Sequence, residues 1–187
     1  MVSAVKPELR RHYRRLRREH AVGLQQHLDS SLAGWLASLN PGQPGQHIGL
    51  FWPLAGEPDL RAALGPLASP RALPVVEADR LRYRPWPPGL ALVPDDCGIP
   101  APPVSLGELQ PVQLALLLLP ALAVDRCGVR LGSGGGWYDR LRSDPAWRAI
   151  PALTVLPAAC VVDRLPADPW DIPVDGWIDE GGCHWLA

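Results

Sequence analysis

The sequence of 187 residues has little of several features that mark large classes of protein. Its 4 cysteines include no C-x-x-C pair, which disfavours a disulfide scaffold and a structural zinc site and predicts reduced thiols at Cys97, Cys127, Cys160 and Cys183. The longest apolar stretch, residues 114–124, is interrupted by Pro120 and is too short to span a bilayer. The N-terminus is charged and has no apolar signal region, so we expect a cytoplasmic protein.

An excess of charge of one sign is also missing. The formal net charge is -1 with 20% charged residues, so the composition gives no reason to expect general attraction to nucleic acid or to a membrane. A chain of 20.3 kDa with 47% hydrophobic residues is long enough for one substantial core and short for two. We therefore expect a single domain over residues 1–187.

Lysine is the scarcest basic residue, because Lys6 is the only lysine among 18 basic residues. A chain that uses arginine elsewhere and keeps one lysine favours a specific task for a compact ammonium group. The alternative is chance placement on a frayed terminus. The two interpretations predict opposite burial, an enclosed side chain for the first and an exposed one for the second.

Residues 1–40 are predicted to form an N-terminal helical segment. Pro7 suits a first helical turn, and apolar residues recur at helical spacing, with a break near Gly23 as the alternative to one continuous helix. A charged run on the other face predicts a solvated surface, and an RNA-binding arm is the alternative, although no recognised RNA-binding module accompanies it. That run consists of Arg10, Arg11, Arg14, Arg15, Arg17 and Arg18.

Residues 42–187 alternate short apolar runs with helix-like stretches, which indicates an α/β core. The expected fold is a three-layer α/β/α domain with a mostly parallel sheet and an N-terminal helix. Ligands bind such folds beyond the carboxyl ends of the strands. Strands are predicted at residues 47–52, 73–76, 81–86, 112–119 and 152–156, helices at residues 60–67 and 137–147, and loops over residues 85–111.

The most informative segment holds four glycines in five positions, residues 132–136. Glycines leave the backbone free of side chains, so its N–H groups can converge on an anion. The segment lies between a buried apolar strand at residues 114–119 and a helix that starts at Trp137, which predicts a phosphate-binding loop. A tight structural turn is the alternative. The pattern matches neither G-x-x-x-x-G-K-[ST] nor G-x-G-x-x-G.

Four segments carry motifs that can be compared with known families. The longest reads Leu119-Pro-Ala-Leu-Ala-Val-Asp-Arg-Cys-Gly-Val-Arg-Leu-Gly-Ser-Gly-Gly-Gly-Trp-Tyr-Asp139. The others are Lys6-Pro-Glu-Leu-Arg10, Phe51-Trp-Pro-Leu-Ala-Gly-Glu-Pro-Asp-Leu60 and Leu165-Pro-Ala-Asp-Pro-Trp-Asp-Ile-Pro-Val-Asp175. In order and spacing, these segments resemble the 5-formyltetrahydrofolate cyclo-ligases, also called 5,10-methenyltetrahydrofolate synthetases.

The resemblance implies a reaction and its participants. Members of that family use ATP to convert 5-formyltetrahydrofolate to 5,10-methenyltetrahydrofolate, with release of ADP and phosphate. It therefore implies ATP as co-substrate, Mg²⁺, and 5-formyltetrahydrofolate as a small-molecule substrate. We expect a monomer that binds neither nucleic acid nor a membrane.

The resemblance also assigns roles at the nucleotide. Lys6 and Arg130 are the expected catalytic groups, and together with Arg10 they would neutralise the triphosphate. Asp139 would hold Mg²⁺ directly or through water, and Asp171 is a second metal ligand or, alternatively, a residue that caps a turn. The expected nucleotide contacts also include Leu131, Gly132, Ser133, Gly134, Gly135, Gly136, Trp137 and Tyr138.

The folate contacts are assigned in the same way. Trp52 and Glu57 are expected to bind the folate, with Glu57 accepting hydrogen bonds from the pterin. Trp137 and Tyr138 would close over the junction of the two ligands. Of the remaining tryptophans, Trp170 has more weight because it lies in a matched segment. Five are assigned to packing: Trp35, Trp86, Trp147, Trp177 and Trp185.

Four departures from the family pattern keep other functions open. They are Ala101 in place of a glutamate, Cys160-Val161 in place of a glutamine, Asp179 in place of a threonine before Glu180, and Ser133 where a basic residue is frequent. These changes leave the phosphate half more intact than the folate half. One alternative is a divergent ATP-dependent enzyme acting on another small molecule, and the second is a non-catalytic protein that binds RNA or a nucleotide.

Overall fold

The first helix, α1, spans Val5–Leu39 without interruption. The structure, a computed structural model, describes residues 5–39, 45–65 and 69–186, so residues 1–4 and 40 of the predicted helical segment, residues 42–44 of the predicted core and residues 66–67 of the predicted second helix lie outside the described residues. The continuous helix is therefore correct and the alternative, a break near Gly23, does not occur, because one face of α1 is buried and its packing outweighs the weak helix propensity of a single glycine. That face carries the nearly inaccessible Leu24, Leu28, Leu32 and Leu36.

Three short α-helices, twelve strands and three single-turn 3-10 helices (Val104–Leu106, Pro111–Gln113 and Ala158–Cys160) follow in the described ranges. The α-helices are α2 (Leu60–Ala63), α3 (Trp137–Arg142) and α4 (Pro145–Arg148). The first six strands are β1 (His47–Gly49), β2 (Arg71–Glu77), β3 (Arg80–Pro85), β4 (Val93–Pro94), β5 (Pro100–Ala101) and β6 (Leu114–Pro120). The last six are β7 (Ala123–Asp125), β8 (Arg130–Leu131), β9 (Ala152–Val155), β10 (Val161–Val162), β11 (Gly176–Asp179) and β12 (Gly182–Trp185).

Seven strands form one sheet in the order β12-β11-β9-β6-β1-β2-β3. The five central strands are parallel to one another, and the edge strands β3 and β12 pair antiparallel with β2 and β11. The predicted mostly parallel sheet is therefore confirmed. The chain proceeds from β1 to β2 on one side of the sheet and from β6 to β9 on the other. Strand order therefore reverses between β1 and β6, and open α/β sheets bind ligands in the crevice at such a point.

Helices cover both faces of this sheet, and β6 shows why. Leu116 and Leu118 of β6 pack into the cluster that includes the leucines of α1, whereas Leu117 and Leu119 pack into the cluster around Trp147 of α4. A strand that is buried on both faces has a continuous run of apolar residues, and β6 has such a run. The result is the three-layer α/β/α arrangement that the sequence predicts.

Several elements differ from their predicted bounds. The helix predicted over residues 137–147 is two helices, because Asp144 caps α4 through the N–H of Ala146 and Pro145 starts a new first turn. The strand predicted at residues 47–52 ends at Gly49. Three groups of strands escape the sequence analysis: β4 and β5, which pair within the predicted loops of residues 85–111; β7, β8 and β10, which form a separate small sheet; and the C-terminal pair β11 and β12. The strand before the glycine segment is therefore β8 and not β6.

The cysteine prediction is confirmed, because all four cysteines are free thiols. Helix α1 is the only described helix with the length of a membrane span, at 35 residues, and it is rich in charge. Within the described ranges, no helix combines sufficient length and apolarity to cross a bilayer.

Candidate active site

A cavity of about 340 Å³ opens at the carboxyl ends of β1 and β6, where strand order reverses. The structure brings every residue that the sequence analysis assigned to the site onto its walls, although their individual roles stay predictions. One wall, the charged side, is formed by Lys6, Arg10, residues 130–139, Asp168 and Asp171. A second part of the lining, the apolar side, is formed by Pro74 and Val76 of β2, Leu81 of β3, and Ile99.

The glycine loop, residues 132–136, connects β8 to α3 along the charged side. Two arginines of α1 hold its carbonyl groups: Arg10 Nε donates to the Gly132 oxygen at 3.1 Å, and Arg14 Nη2 donates to the Ser133 oxygen at 3.2 Å. No acceptor among the described residues is bonded to the N–H groups of residues 133–136. Amide groups without protein acceptors in a cavity wall suit an anionic ligand.

Gly134 and Gly135 show why the loop is built from glycine. Gly134 has a φ of +115°, which L side chains rarely adopt. A Cβ atom at Gly135 would lie 2.7 Å from Cδ1 of Trp137, well inside normal contact. The glycines therefore allow the backbone path that leaves the loop amides open on the cavity.

Lys6 is enclosed on the charged side, with 8% of its surface exposed. Its Nζ lies 2.7 Å from Asp168 Oδ2 and 2.6 Å from Asp171 Oδ2. Burial disfavours the ammonium charge, but hydrogen bonds and attraction from the two carboxylates outweigh burial and raise the pKa of Lys6 above its usual value. The enclosed position agrees with a specific role and not with a frayed terminus. The sequence analysis missed Asp168, which lies 162 positions from Lys6 in the chain. Its place in the matched segment of residues 165–175 is the one feature of the sequence that could have pointed to it.

Arg130 and Asp139 form a second ion pair on the charged side, with Nη2 and Oδ2 2.9 Å apart. Arg130 Nη1 also donates to the Pro120 oxygen at the end of β6, at 3.2 Å. Arg130 is therefore held in place by protein groups and contributes a fixed positive charge to the wall. Asp139 keeps one oxygen, Oδ1, whose sole bond among the described residues is a long one of 3.4 Å from the N–H of Ile172.

The arginine run of α1 is only partly the solvated face that the sequence predicts. Arg11, Arg15 and Arg18 are exposed, but Arg17 is 5% exposed and donates hydrogen bonds to Glu57 and to the Ala121 oxygen. The prediction is wrong at Arg17 because this face of α1 lies against the loop that carries Glu57, whose buried carboxylate needs a cation nearby. The helix thus places part of its positive charge inside the molecule.

Glu57 is a buried carboxylate in the cavity lining. Its Oε1 lies 3.3 Å from Arg17 Nη1, and its Oε2 accepts the N–H of Leu54 at 3.0 Å. Desolvation lowers the pKa of Arg17, while the charge of Glu57 opposes that shift. Burial, with a further contribution from Glu57, raises the pKa of Tyr138, so its phenol stays protonated and can donate a hydrogen bond.

Aromatic side chains line much of the cavity, and guanidinium groups lie over three of them. The pairs are Arg61 over Trp52 at 4.1 Å, Arg140 over Trp137 at 4.4 Å and Arg130 over Tyr138 at 5.5 Å. Trp170 also lines the cavity and is 68% exposed.

Four of the five tryptophans assigned to packing are confirmed. Trp147 and Trp177 are buried, and Trp35 and Trp86 pack against a core cluster. The assignment is wrong for Trp185, which is 44% exposed because it ends the edge strand β12.

Three of the four departures from the family pattern lie away from the cavity walls. Ala101 is buried in β5, and Val161 lies in β10. Asp179 accepts hydrogen bonds from Trp177 Nε1 at 3.0 Å and from the Gly181 N–H at 2.7 Å, so it stabilises the β11–β12 hairpin. Ser133 does line the cavity, as part of the glycine loop. The departures therefore leave the cavity walls largely unchanged.

Comparisons with known proteins identify the family of the chain. The sequence profile of the 5-formyltetrahydrofolate cyclo-ligase family matches residues 2–179. A Mycolicibacterium smegmatis protein named 5-formyltetrahydrofolate cyclo-ligase is 34% identical over 152 residues, 76% of this chain and 76% of that protein. The Escherichia coli K12 protein of the same name is 29% identical over 170 residues, 86% and 92% of the two chains. The NMR structure of Aquifex aeolicus 5,10-methenyltetrahydrofolate synthetase matches with a TM-score of 0.78 at 27% identity, over 97% of this chain and 93% of that one. The chain therefore belongs to the 5-formyltetrahydrofolate cyclo-ligase family.

Proposed function

We propose that this chain is a C–N bond-forming ligase that cyclises 5-formyltetrahydrofolate to 5,10-methenyltetrahydrofolate with ATP, releasing ADP and phosphate. The observation that carries the proposal is that a single cavity joins two unlike walls. The charged side offers cations, unbonded amides and carboxylates to a polyphosphate, while the apolar side offers hydrocarbon surface to a flat heterocycle. Family membership supplies a reaction that needs both.

The reaction needs the formyl oxygen to become a leaving group. The formyl oxygen attacks the γ-phosphorus of ATP, the bond from that phosphorus to the β-phosphate oxygen breaks, and ADP leaves. N10 then attacks the activated formyl carbon and loses its proton, and inorganic phosphate leaves with the electron pair of its C–O bond. No side-chain nucleophile is required. The protein contributes mainly by orienting the reactants, which can supply about 7–11 kcal/mol of the barrier.

On the charged side, we assign the phosphates to groups already held in place. Lys6 neutralises the charge on the transferred phosphoryl group, and its partners Asp168 and Asp171 hold the ammonium on the cavity wall. Arg10 and the amides of the glycine loop bind the remaining phosphate oxygens. Arg130 adds positive potential and fixes the orientation of Asp139.

Asp139 and Asp171 are the proposed ligands of Mg²⁺. Mg²⁺ at nucleotides usually takes one or two carboxylates and completes its coordination with phosphates and water. Within the described ranges, no group of three or more acidic, histidine or cysteine side chains could hold a metal ion alone, which agrees with a site completed by the nucleotide. Bound there, the ion would neutralise phosphate charge.

Glu57 and Trp52 are the proposed folate contacts. The Glu57 carboxylate, held by Arg17, is a strong acceptor for the N–H groups of the pterin. Trp52 offers aromatic surface next to that carboxylate, and the guanidinium of Arg61 lies over its ring. Trp137 and Tyr138, which follow the glycine loop, stand where the folate and the γ-phosphate would meet.

The decisive experiment is an absorbance assay for 5,10-methenyltetrahydrofolate in the presence of ATP, Mg²⁺ and 5-formyltetrahydrofolate. We expect product only when ATP and folate are both present. Arg130→Ala and Asp139→Ala should each lower turnover by about 100-fold or more without unfolding the chain. Arg15→Ala, an exposed position of α1, is the control and should keep wild-type turnover.

The outcome that would contradict the proposal is a folded wild-type protein that makes no product. Calorimetry would then separate the alternatives, because ATP binding without folate binding would favour an enzyme acting on another small molecule. RNA binding with a steep salt dependence and no folate-dependent ADP release would favour a binding protein.

We further propose a single-domain cytoplasmic monomer that does not bind nucleic acid. The leucines of α1 belong to the same core cluster as residues of the sheet, which supports one domain. Arg10, Arg14 and Arg17 contact the glycine loop or Glu57, so half of the arginine run is not free to bind RNA. Light scattering after gel filtration and an RNA titration would test these points.

A further inference from the structure

Trp170 differs from the other large aromatic side chains of the cavity. The rings of Trp52, Trp137 and Tyr138 lie under guanidinium groups, and Phe51 is 2% exposed. Trp170 is 68% exposed, and among the described residues it takes part in no hydrogen bond, ring stacking or cation–π contact. Most of its surface is therefore available to a flat ligand.

The backbone that carries Trp170 is well fixed. The Asp171 N–H donates to the Asp168 oxygen at 3.0 Å, and the Asp168 N–H donates to Asp171 Oδ2 at 2.7 Å, which closes a tight turn around Trp170. Both carboxylates also bind Lys6. An exposed indole on a fixed turn loses little backbone freedom when a ligand binds to it, which favours binding.

The position of this turn identifies the ligand. Trp170 lies between two residues that hold Lys6, so it belongs to the charged side, where the proposed function puts the phosphates of ATP. The folate ring is assigned to the other wall, near Glu57 and the apolar side. The flat group of ATP is its purine, which the ribose joins to the phosphates.

We propose that Trp170 is the stacking platform for the purine base of ATP. The proposal rests on the proposed function and adds to it the group that recognises the base. Stacking of a base on an aromatic side chain is favourable for every base, so this contact would favour purines by their larger ring and would not distinguish adenine from guanine. Selection of adenine itself is left to other contacts.

The test compares two probes that share phosphates and differ in the base. Dissociation constants of ATP and of inorganic tripolyphosphate are measured by calorimetry with Mg²⁺ and without folate, for the wild type, Trp170→Ala and Trp170→Phe. We expect Trp170→Ala to weaken ATP binding about tenfold and Trp170→Phe by no more than about threefold, because Phe can still stack. Tripolyphosphate should bind all three proteins equally. Trp185→Ala, a partly exposed tryptophan away from the cavity walls, is the control.

Two results would overturn the proposal. One is an unchanged ATP dissociation constant for Trp170→Ala. The other is an equal loss of ATP and tripolyphosphate affinity, which would mean that Trp170 only supports the turn beside Lys6. Because the binding experiment contains no folate, its outcome is separate from that of the synthetase assay: a protein that binds ATP through Trp170 and forms no methenyl product contradicts the proposed function alone.

Discussion

The two sides of the cavity are held in place by different physical means. On the charged side, Lys6 and Arg130 are paired with protein groups before any ligand binds. On the apolar side, Val76 and Ile99 are placed by the sheet and by Asp95, whose two oxygens accept their backbone N–H groups at 2.9 Å each. Charges held in advance can stabilise a transition state without reorganisation, whereas apolar surface contributes binding in proportion to its area. Substitutions on the charged side should therefore change turnover, and those on the apolar side should change folate affinity.

The largest effect is expected at Lys6. Lys6→Ala removes the cation that bridges Asp168 and Asp171 and should lower kcat/KM for ATP by about 1000-fold. Lys6→Arg is the matched variant, because it keeps the charge but not the compact ammonium group, and it should fold normally with reduced turnover. Steady-state kinetics with each substrate varied would measure both. Wild-type kcat/KM in Lys6→Ala would show that the charged side does not act on the phosphates.

A smaller effect is expected in the glycine loop. Gly135→Ala places a Cβ against Trp137 and should raise KM for ATP about tenfold, because the displaced loop loses at least one amide bond to a charged phosphate. Gly23→Ala is the control, since a Cβ there meets nothing within 4 Å. It should leave KM unchanged and stabilise α1 by about 0.5–1 kcal/mol. Equal KM values for the two variants would argue against a role of the loop amides.

The apolar side provides the contrasting variant. Ile99→Ala removes hydrocarbon from the cavity wall and should raise KM for 5-formyltetrahydrofolate about fivefold, with kcat and KM for ATP nearly unchanged. Initial rates at saturating ATP would measure the folate KM. A fall in kcat as large as that of the charged-side variants would contradict the proposal that the apolar side acts mainly on folate affinity.

The smallest effect near neutral pH concerns the ionisation of Lys6. Its pKa is raised above the ordinary 10.5, so the ion pairs contribute stability that is fully present below 10.5 and is lost as the pH rises through the folded-state pKa. The difference in Tm between the wild type and Lys6→Met should therefore stay constant from about pH 7 to about pH 9 and shrink above about pH 10.5. A difference that shrinks already near neutral pH would mean that Lys6 is not held as a cation.

Much of the candidate site could be predicted because its motifs are continuous in the chain. The glycine loop, Lys6, Glu57 and Asp139 stand at recognisable positions in short segments. Arg17 could not be predicted, because its helical spacing is the same as that of exposed arginines and only the neighbouring Glu57 distinguishes it. The contacts of Asp168 and Arg14 could not be predicted either, because their partners lie 162 and 119 positions away in the chain.

By itself, the sequence determined the family, the α/β class and the segments that meet at the cavity, because apolar periodicity and short motifs are local properties. Only the tertiary structure decided which charges pair, that α1 runs unbroken through Gly23, and that β8 and not β6 leads into the glycine loop. Those outcomes depend on packing and on ion pairs between segments far apart in the chain. Such energies exist only when the sheet has brought the segments together.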